Sequence, residues 1–360
     1  MSSDKKKEII TIANASDEHP RHSEASVIEL KDGKLMIAWM EYLESDIGSG
    51  DNAPNRISVM ISDDEGLTWR EHRVIIETKE GSVNSYSPNF IRLSEEEIIL
   101  IYFNYLVLEA GKPPATRAFL KRTCDEGKTF TESEAIWDSM PINFASSVAK
   151  KLSNGRVIIP VAKQTGNIWS STDHFDVGCA FSDDEGKTWE FSDNWIYLPM
   201  RGCSEGHIEE LRNGRILMVL RTQLGSVFKS YSDDGGKTWS KAQTMGMKAP
   251  ESCPDLNRIP QTGDLMLTWN NSLYDPRFIS HYGKRTPLTV AISKDEGETW
   301  TNIKDIEDNP YWGYSNPACT FTTSGKGILT YWATKYKSDW RMGGPISLKA
   351  AIFDIGWLYS

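Results

Sequence analysis

The chain has 360 residues, enough to bury a large core, and carries 50 Asp and Glu against 40 Lys and Arg, a formal charge of -10. That acidity argues against nucleic acid as a partner, but not against a small anion held by a few local arginines. No run of about 20 apolar residues occurs, so no membrane span is expected, and five scattered cysteines without a CxxC pair predict neither a zinc site nor a disulfide framework. The opening MSSDKKKEIITIANASDEHP has a basic run but no long apolar stretch after it, so it does not read as a secretory signal. With reduced, mostly buried thiols this favours the cytoplasm; a trimmed signal would instead mean a secreted or periplasmic protein.

In chain order, the first expected element is a strand in EIITIA (8–13), followed by a strand–turn–strand phrase, SEASVIELKDGKLMIAWMEY (23–42). RISVMIS (56–62) then alternates apolar and polar residues as a half-buried strand does. It runs directly into Ser62-Asp63-Asp64-Glu65-Gly66-Leu67-Thr68-Trp69. Closely similar octets start at Thr123, Ser182, Ser232 and Ser293, with steps of 61, 59, 50 and 61 residues. Asp-x-Gly is turn chemistry, because the carboxylate accepts backbone N–H groups and glycine tolerates positive φ. Each octet is therefore expected to be a hairpin turn with an aromatic anchor.

The first phrase also recurs. SEGHIEELRNGRILMVLRTQ (204–223) matches it almost position for position, and weaker copies occupy 87–104, 145–163, 253–271 and 316–334. Six such hairpins, five of them followed by a second hairpin carrying the octet, make six four-stranded units. Stacked units of fixed period imply a closed repeat architecture. The expected fold is all-β, a six-bladed β-propeller spanning 1–360 as a single domain, with few or no helices. The sixth blade lacks an octet, so its outer strands must come from ISLKAAIFDIGWL (346–358) and EIITIA (8–13).

The repeated S-x-D-x-G-x-T-W phrase resembles the Asp-box, or bacterial-neuraminidase, repeat of the sialidase superfamily, and the resemblance covers nearly the whole chain. It implies an exo-acting retaining glycosidase that removes terminal sialic acid. Three arginines hold the sugar carboxylate, as planar guanidinium forks do well. A tyrosine acts as nucleophile, made reactive by a neighbouring glutamate since a free phenol ionises only near pH ~10, and an aspartate serves as general acid and base.

The family's pattern can be laid on this sequence residue by residue. Glu205 opens EGHIEEL and Arg221 follows sixteen residues later, which matches the activating glutamate and one arginine. Asp51, in GSGDNAPNRI eleven residues before the first octet, matches the acid/base aspartate, with Asp46 as a competitor. Tyr314, in YWGYSNPACTF, matches the nucleophile, although Tyr311 and Trp312 share the segment. Arg285, eight residues before the fifth octet, matches another arginine, with Arg258 as the alternative.

The first arginine departs from the pattern. Arg21 is out of register, and His22 and Ser23 stand where the family has Ile-Pro. Trp332 replaces the glutamate that steadies that arginine, and Glu24 occupies in the first hairpin the position Glu205 holds in the fourth. Glu24 and His22 are thus expected to read some other substrate feature. His207 shares a strand face with Glu205, and Glu251 is a candidate rim residue. Against each role stands the plain alternative of a turn, surface or packing residue. The expected partner is a sialylated glycan or a related acidic sugar, such as a deaminated sialic acid or another ulosonic acid. A propeller that binds glycan without cleaving it is the other alternative. No metal cluster or phosphate-binding loop is visible, so neither a metal nor a cofactor is expected. The sequence leaves oligomeric state open. Insertions at 104–117 and 163–176 are candidates for the pocket rim or a subunit contact.

Overall fold

The computed structural model describes residues 6–106, 115–165, 173–275, 278 and 283–360. The described strands form six antiparallel sheets, each built from consecutive hairpins. Blade 1 comprises His22–Glu29, Leu35–Tyr42, Asn55–Ser62 and Arg70–Ile76, and blade 2 comprises Ser82–Arg92, Ile98–Leu106, Thr116–Thr123 and Glu134–Met140. Blades 3, 4 and 5 repeat the arrangement as far as Glu307. Blade 6 runs outward from Trp312–Phe321 through Lys326–Lys335 and Ser347–Asp354 to the N-terminal Lys7–Ala13. The first strand of the chain thereby closes the ring on the last, as the missing sixth octet required. A single 3-10 turn, Ile355–Tyr359, is the one helical element among the described residues, and none of their helices is long and apolar enough to cross a membrane.

The five octets fold alike. In the first, the Asp64 carboxylate accepts hydrogen bonds from Ser62 Oγ at 2.8 Å, Thr68 N at 2.9 Å and Thr68 Oγ1 at 2.5 Å, while Gly66 N donates to Ser62 Oγ at 2.9 Å. Asp125, Asp184, Asp234 and Asp295 repeat the set, with Thr123 standing in for serine in the second copy. These bonds to the ionised form pull the aspartates down, to about 2 for Asp125 and Asp295.

Each octet is also a wedge between blades. The glycine at its fifth position lies against an apolar side chain of the preceding blade: Gly66 against Ile328, Gly127 against Met36, Gly186 against Leu120, Gly236 against Ile158 and Gly297 against Leu217. At Gly297, with φ +88, an added Cβ would stand 2.7 Å from Leu217 Cδ2, so both the backbone and the space call for glycine. The middle strands supply the core. Ile99, Ile101, Val157 and Ile159 pack between blades 2 and 3, and Leu217, Val219, Leu265 and Leu267 between blades 4 and 5. All five cysteines are free, four of them buried.

Candidate active site

At the innermost strand of four blades the chain does something its sequence alone does not advertise. The pairing register slips between Ser23 and Ala25, Tyr86 and Asn89, Ser204 and His207, and Ser315 and Ala318. Inside each slip one residue adopts a left-handed backbone: Glu24 at φ 44, Ser87 at 54, Glu205 at 44 and Asn316 at 50. For a side chain with a Cβ this conformation costs roughly 1–2 kcal/mol. Strain of this kind gathers where a side chain must be aimed. All four residues line one cavity of about 380 Å³, to which all six blades contribute.

The cavity walls are rich in charge. Arg21, Arg201, Arg221 and Arg285 line it together with Glu24, Asp51, Asp173 and Glu205. Arg21 stacks over Tyr42, 4.5 Å from the ring centroid, and donates to Asp51 at 2.7 Å and to Glu24 at 3.2 Å. Arg221 pairs with Glu205 and lies 3.7 Å from Glu251. Arg201 pairs with both Asp173 and Glu251. Arg285 differs from these three. It is 2% exposed, donates to Ser315 Oγ and to the Glu251 backbone carbonyl, and has no carboxylate partner among the described residues. Its Nε finds no acceptor there either. Burial and the neighbouring charge of Arg221 push this guanidinium down to about 10.

The carboxylates divide by environment. Burial disfavours the charge of Glu205, but Arg221 outweighs it and holds the carboxyl below its ordinary range. Partial desolvation likewise opposes the charge of Asp51, and Arg21 prevails there. The neighbouring Tyr86 hydroxyl helps to keep Asp51 ionised. At Glu24 burial wins over Arg21, and the carboxyl is raised. Asp51 is the more open of the three, its side chain 47% exposed at the rim.

The structure therefore gathers Arg21, Glu24, Asp51, Glu205, Arg221 and Arg285 around one cavity. Arg21, out of register in the sequence, reaches it from just before the first strand of blade 1, and Glu24 on that strand supplies a carboxylate partner. Trp332 lines the wall, 5.8 Å from the Arg285 guanidinium.

Two expected residues, His22 and Tyr314, are not among those that line the cavity. His22 is buried, accepts a hydrogen bond from Trp39 Nε1 at 3.0 Å, and is pushed down to about 4 by burial, so it is a neutral packing residue of blade 1. Tyr314 is 2% exposed and packs edge-on against Tyr331, in an apolar cluster that includes Ile306 and Leu329. Burial raises its phenol, and the carboxylate that acts on it is Glu307 rather than Glu205. The strand slip after Ser315 is the physical reason: Asn316, two residues on, takes the wall position instead.

Other candidates fall elsewhere. Arg258 pairs with Glu296 of the fifth octet, and Asp46 is exposed in its loop. Tyr311 is exposed and stacks with Trp340. His207 is buried between Asp255 and Cys253, at 3.1 and 3.3 Å. Glu251 lies behind the wall as the common partner of Arg201, Gln223 and Arg221. Of the two insertions, residues 107–114 and 166–172 lie outside the described residues.

The sequence reading missed Arg201, Asp173, Tyr86, Tyr105 and Asn316. Arg201 left a trace: it stands four residues before Glu205, much as Arg21 stands three before Glu24. The internal match between the two hairpins stopped just short of it.

Comparison with known proteins places this geometry. Residues 24–329 match the BNR repeat-like domain. Among curated proteins, an anhydrosialidase of the leech Macrobdella decora is 22% identical over 244 residues, 62% of this chain but 30% of that protein. Among solved structures, a Hadza microbial sialidase superposes with a TM-score of 0.74 at 15% identity, covering 97% of this chain and 69% of its own. A Trypanosoma rangeli sialidase in complex with 2,3-difluorosialic acid, as a covalent intermediate, superposes with a TM-score of 0.69 at 14% identity, covering 98% and 59%. The chain thus spans under a third of the curated relative it matches. With its octets, its six blades and a family match over most of its length, the chain belongs to the BNR repeat-like family, on a fold shared with sialidases.

Proposed function

We propose that this chain is a sialidase-family glycosidase that removes a terminal acidic sugar, a sialic acid or a related ulosonic acid, from a glycan. One observation carries the reading: Arg285 is a buried guanidinium on the cavity wall with no carboxylate in direct contact with it among the described residues, Glu205 and Glu251 acting on it only from a distance. A buried unpaired charge is costly, and a ligand carboxylate is the group that would relieve it, through the planar donors of an arginine. Arg221 and Arg21 flank the same space, so an anion entering it meets three guanidinium groups. Nucleic acid and polyanionic ligands are disfavoured by the chain's overall charge of -10.

Asp51 is the acid/base group in this reading, for it is exposed at the rim where a leaving group would depart. Before substrate enters, Arg21 keeps it ionised. A substrate carboxylate that takes over Arg21 removes this stabilisation, and the Asp51 carboxyl then rises toward the range a proton donor needs. Glu205 is fixed by Arg221 and faces the sugar from blade 4. The tyrosine-nucleophile route is not carried forward, since Tyr314 lies outside the cavity.

The test is release of 4-methylumbelliferone from α-glycosides of N-acetylneuraminic acid, of its deaminated counterpart and of 3-deoxy-D-manno-octulosonate. Turnover of one of them, lost in Asp51→Asn and in Glu205→Gln, supports the reading. Binding of the free acids without turnover of any glycoside would make this a glycan-binding propeller instead.

A further inference from the structure

Asn316 occupies the wall position of blade 6 that Glu205 occupies in blade 4 and Glu24 in blade 1. Each lies inside a register slip of the innermost strand, with φ of 50, 44 and 44, and each lines the cavity. Its amide orientation follows from its neighbours. Trp332 Nε1 approaches one amide atom at 3.2 Å. An indole N–H can only donate, so the atom it meets is the oxygen. Ser315 Oγ donates to the same oxygen at 2.9 Å, and Ser315 Oγ itself accepts from Arg285 Nη1. The carbonyl side of Asn316 is thus committed to the wall, and its NH2 group carries two donors for which no described residue provides an acceptor. One hydrogen-bond chain, Arg285 to Ser315 to Asn316, fixes that NH2 group beside the guanidinium without a carboxylate partner.

We infer that Asn316 is a ligand-contacting residue, which presents its amide hydrogens to the acidic sugar alongside Arg285, and that blade 6 offers the sugar this neutral donor in place of a tyrosine nucleophile. The inference rests on the proposed acidic-sugar reading and deepens it. Two donors next to a guanidinium favour a group with several acceptor oxygens, which a carboxylate or the ring oxygen and hydroxyls of a ulosonic acid provide. No covalent bond to the sugar forms on this blade, because the phenol of Tyr314 faces Glu307 and the core between blades 5 and 6.

The decisive variant is Asn316→Asp. Aspartate tolerates the left-handed backbone about as well as asparagine. It also keeps an oxygen for Trp332 and Ser315, so the fold is preserved while the two N–H donors become an anion. Calorimetry with free N-acetylneuraminic acid, its deaminated counterpart and 3-deoxy-D-manno-octulosonate reads the result. For whichever acid the natural chain binds, Asn316→Asp is expected to weaken affinity about a hundredfold at pH 7, a loss that shrinks as pH falls and the introduced carboxyl takes up a proton. Asn316→Gly, which suits the positive φ, is expected to weaken it about tenfold, and Tyr314→Phe to leave it unchanged. Affinity indifferent to Asn316→Asp overturns the inference but not the acidic-sugar reading. Failure of the natural chain to bind any of the three acids overturns both. Incubation with 2,3-difluorosialic acid followed by intact-mass measurement is the second arm: a covalent adduct on Tyr314 overturns the inference while supporting a glycosidase.

Discussion

The octet turns and the cavity wall are both repeats, and they diverged in opposite ways. At the octets the chain repeats side chains and backbone together: five aspartates hold five turns with the same set of bonds, and five glycines abut the preceding blade. At the wall it repeats only the backbone. Four residues share a left-handed φ inside a strand slip, yet they are Glu, Ser, Glu and Asn. A position whose partner is the neighbouring blade stays uniform, because every blade needs the same wedge. On the proposed acidic-sugar reading, a position whose partner is a ligand varies, because a sugar shows a different face to each blade. Function in this fold is thus written where the geometry repeats and the chemistry does not.

The largest effect that would separate the two regions is expected at Arg285. Arg285→Ala removes the guanidinium that has no carboxylate partner among the described residues, and affinity for an acidic sugar should fall a hundredfold or more, or ~3 kcal/mol. Unfolding midpoints should move little, or upward, since a buried positive charge without an ion pair is lost. A variant that binds as well as the natural chain would break the comparison, for the wall would then be as structural as the octets. The converse experiment is Gly297→Ala. The left-handed backbone and the contact with Leu217 together make a loss of about 2–4 kcal/mol in unfolding free energy the expected outcome of a denaturant titration. Ligand affinity of the folded fraction should stay the same.

The difference between the regions also decides how much could be read from sequence. The octets were legible because their chemistry is local: Ser62, Asp64, Gly66 and Thr68 satisfy one another within seven residues. Six blades followed from counting them, and the closing strand Lys7–Ala13 from the octet that blade 6 lacks. Glu205 and Arg221 were legible because an internal repeat and a family spacing fell on the same residues. Tyr314 does not line the cavity, and the reason could not be read from the sequence, because a register slip is invisible in a string of letters. A strand that gains one residue between Ser315 and Ala318 turns the expected tyrosine into the core and brings Asn316 to the wall. Arg201 and Tyr86 were missed for a related reason, since their roles are set by Glu251, Asp173 and Asp51, which are remote in sequence.

Acid should part the two regions next. Asp125 and Asp295 are held at about 2 against an ordinary 3.8, so their contribution to stability is complete above pH ~4 and is lost as pH falls toward 2. Glu24 has the opposite sign: its raised carboxyl favours the folded state when protonated, so mild acidification should stabilise the wall while the octets remain intact. Ligand affinity that holds or rises on mild acidification, as protonated Glu24 releases Arg21 to the ligand carboxylate, with an unfolding midpoint that does not fall, would match that order; a midpoint that falls over the same range would contradict it.

The smallest effect is expected at Tyr86. Its hydroxyl lies by Asp51 and helps to hold that carboxyl low, while Arg21 does more. Tyr86→Phe keeps the ring that packs against Phe103 and Tyr105 and removes the hydroxyl, which also accepts from the Tyr42 hydroxyl at 3.3 Å. The Asp51 carboxyl should then rise by less than one pH unit, shifting whichever limb of the pH–rate profile Asp51 governs upward by the same amount, with the maximum rate nearly unchanged. A shift confined to that limb would identify Asp51 as the titrating group and tie the rim to the chemistry. An unshifted profile with a lower maximum would instead mean that Tyr86 touches the sugar, and would enlarge the set of wall positions whose partner is the ligand.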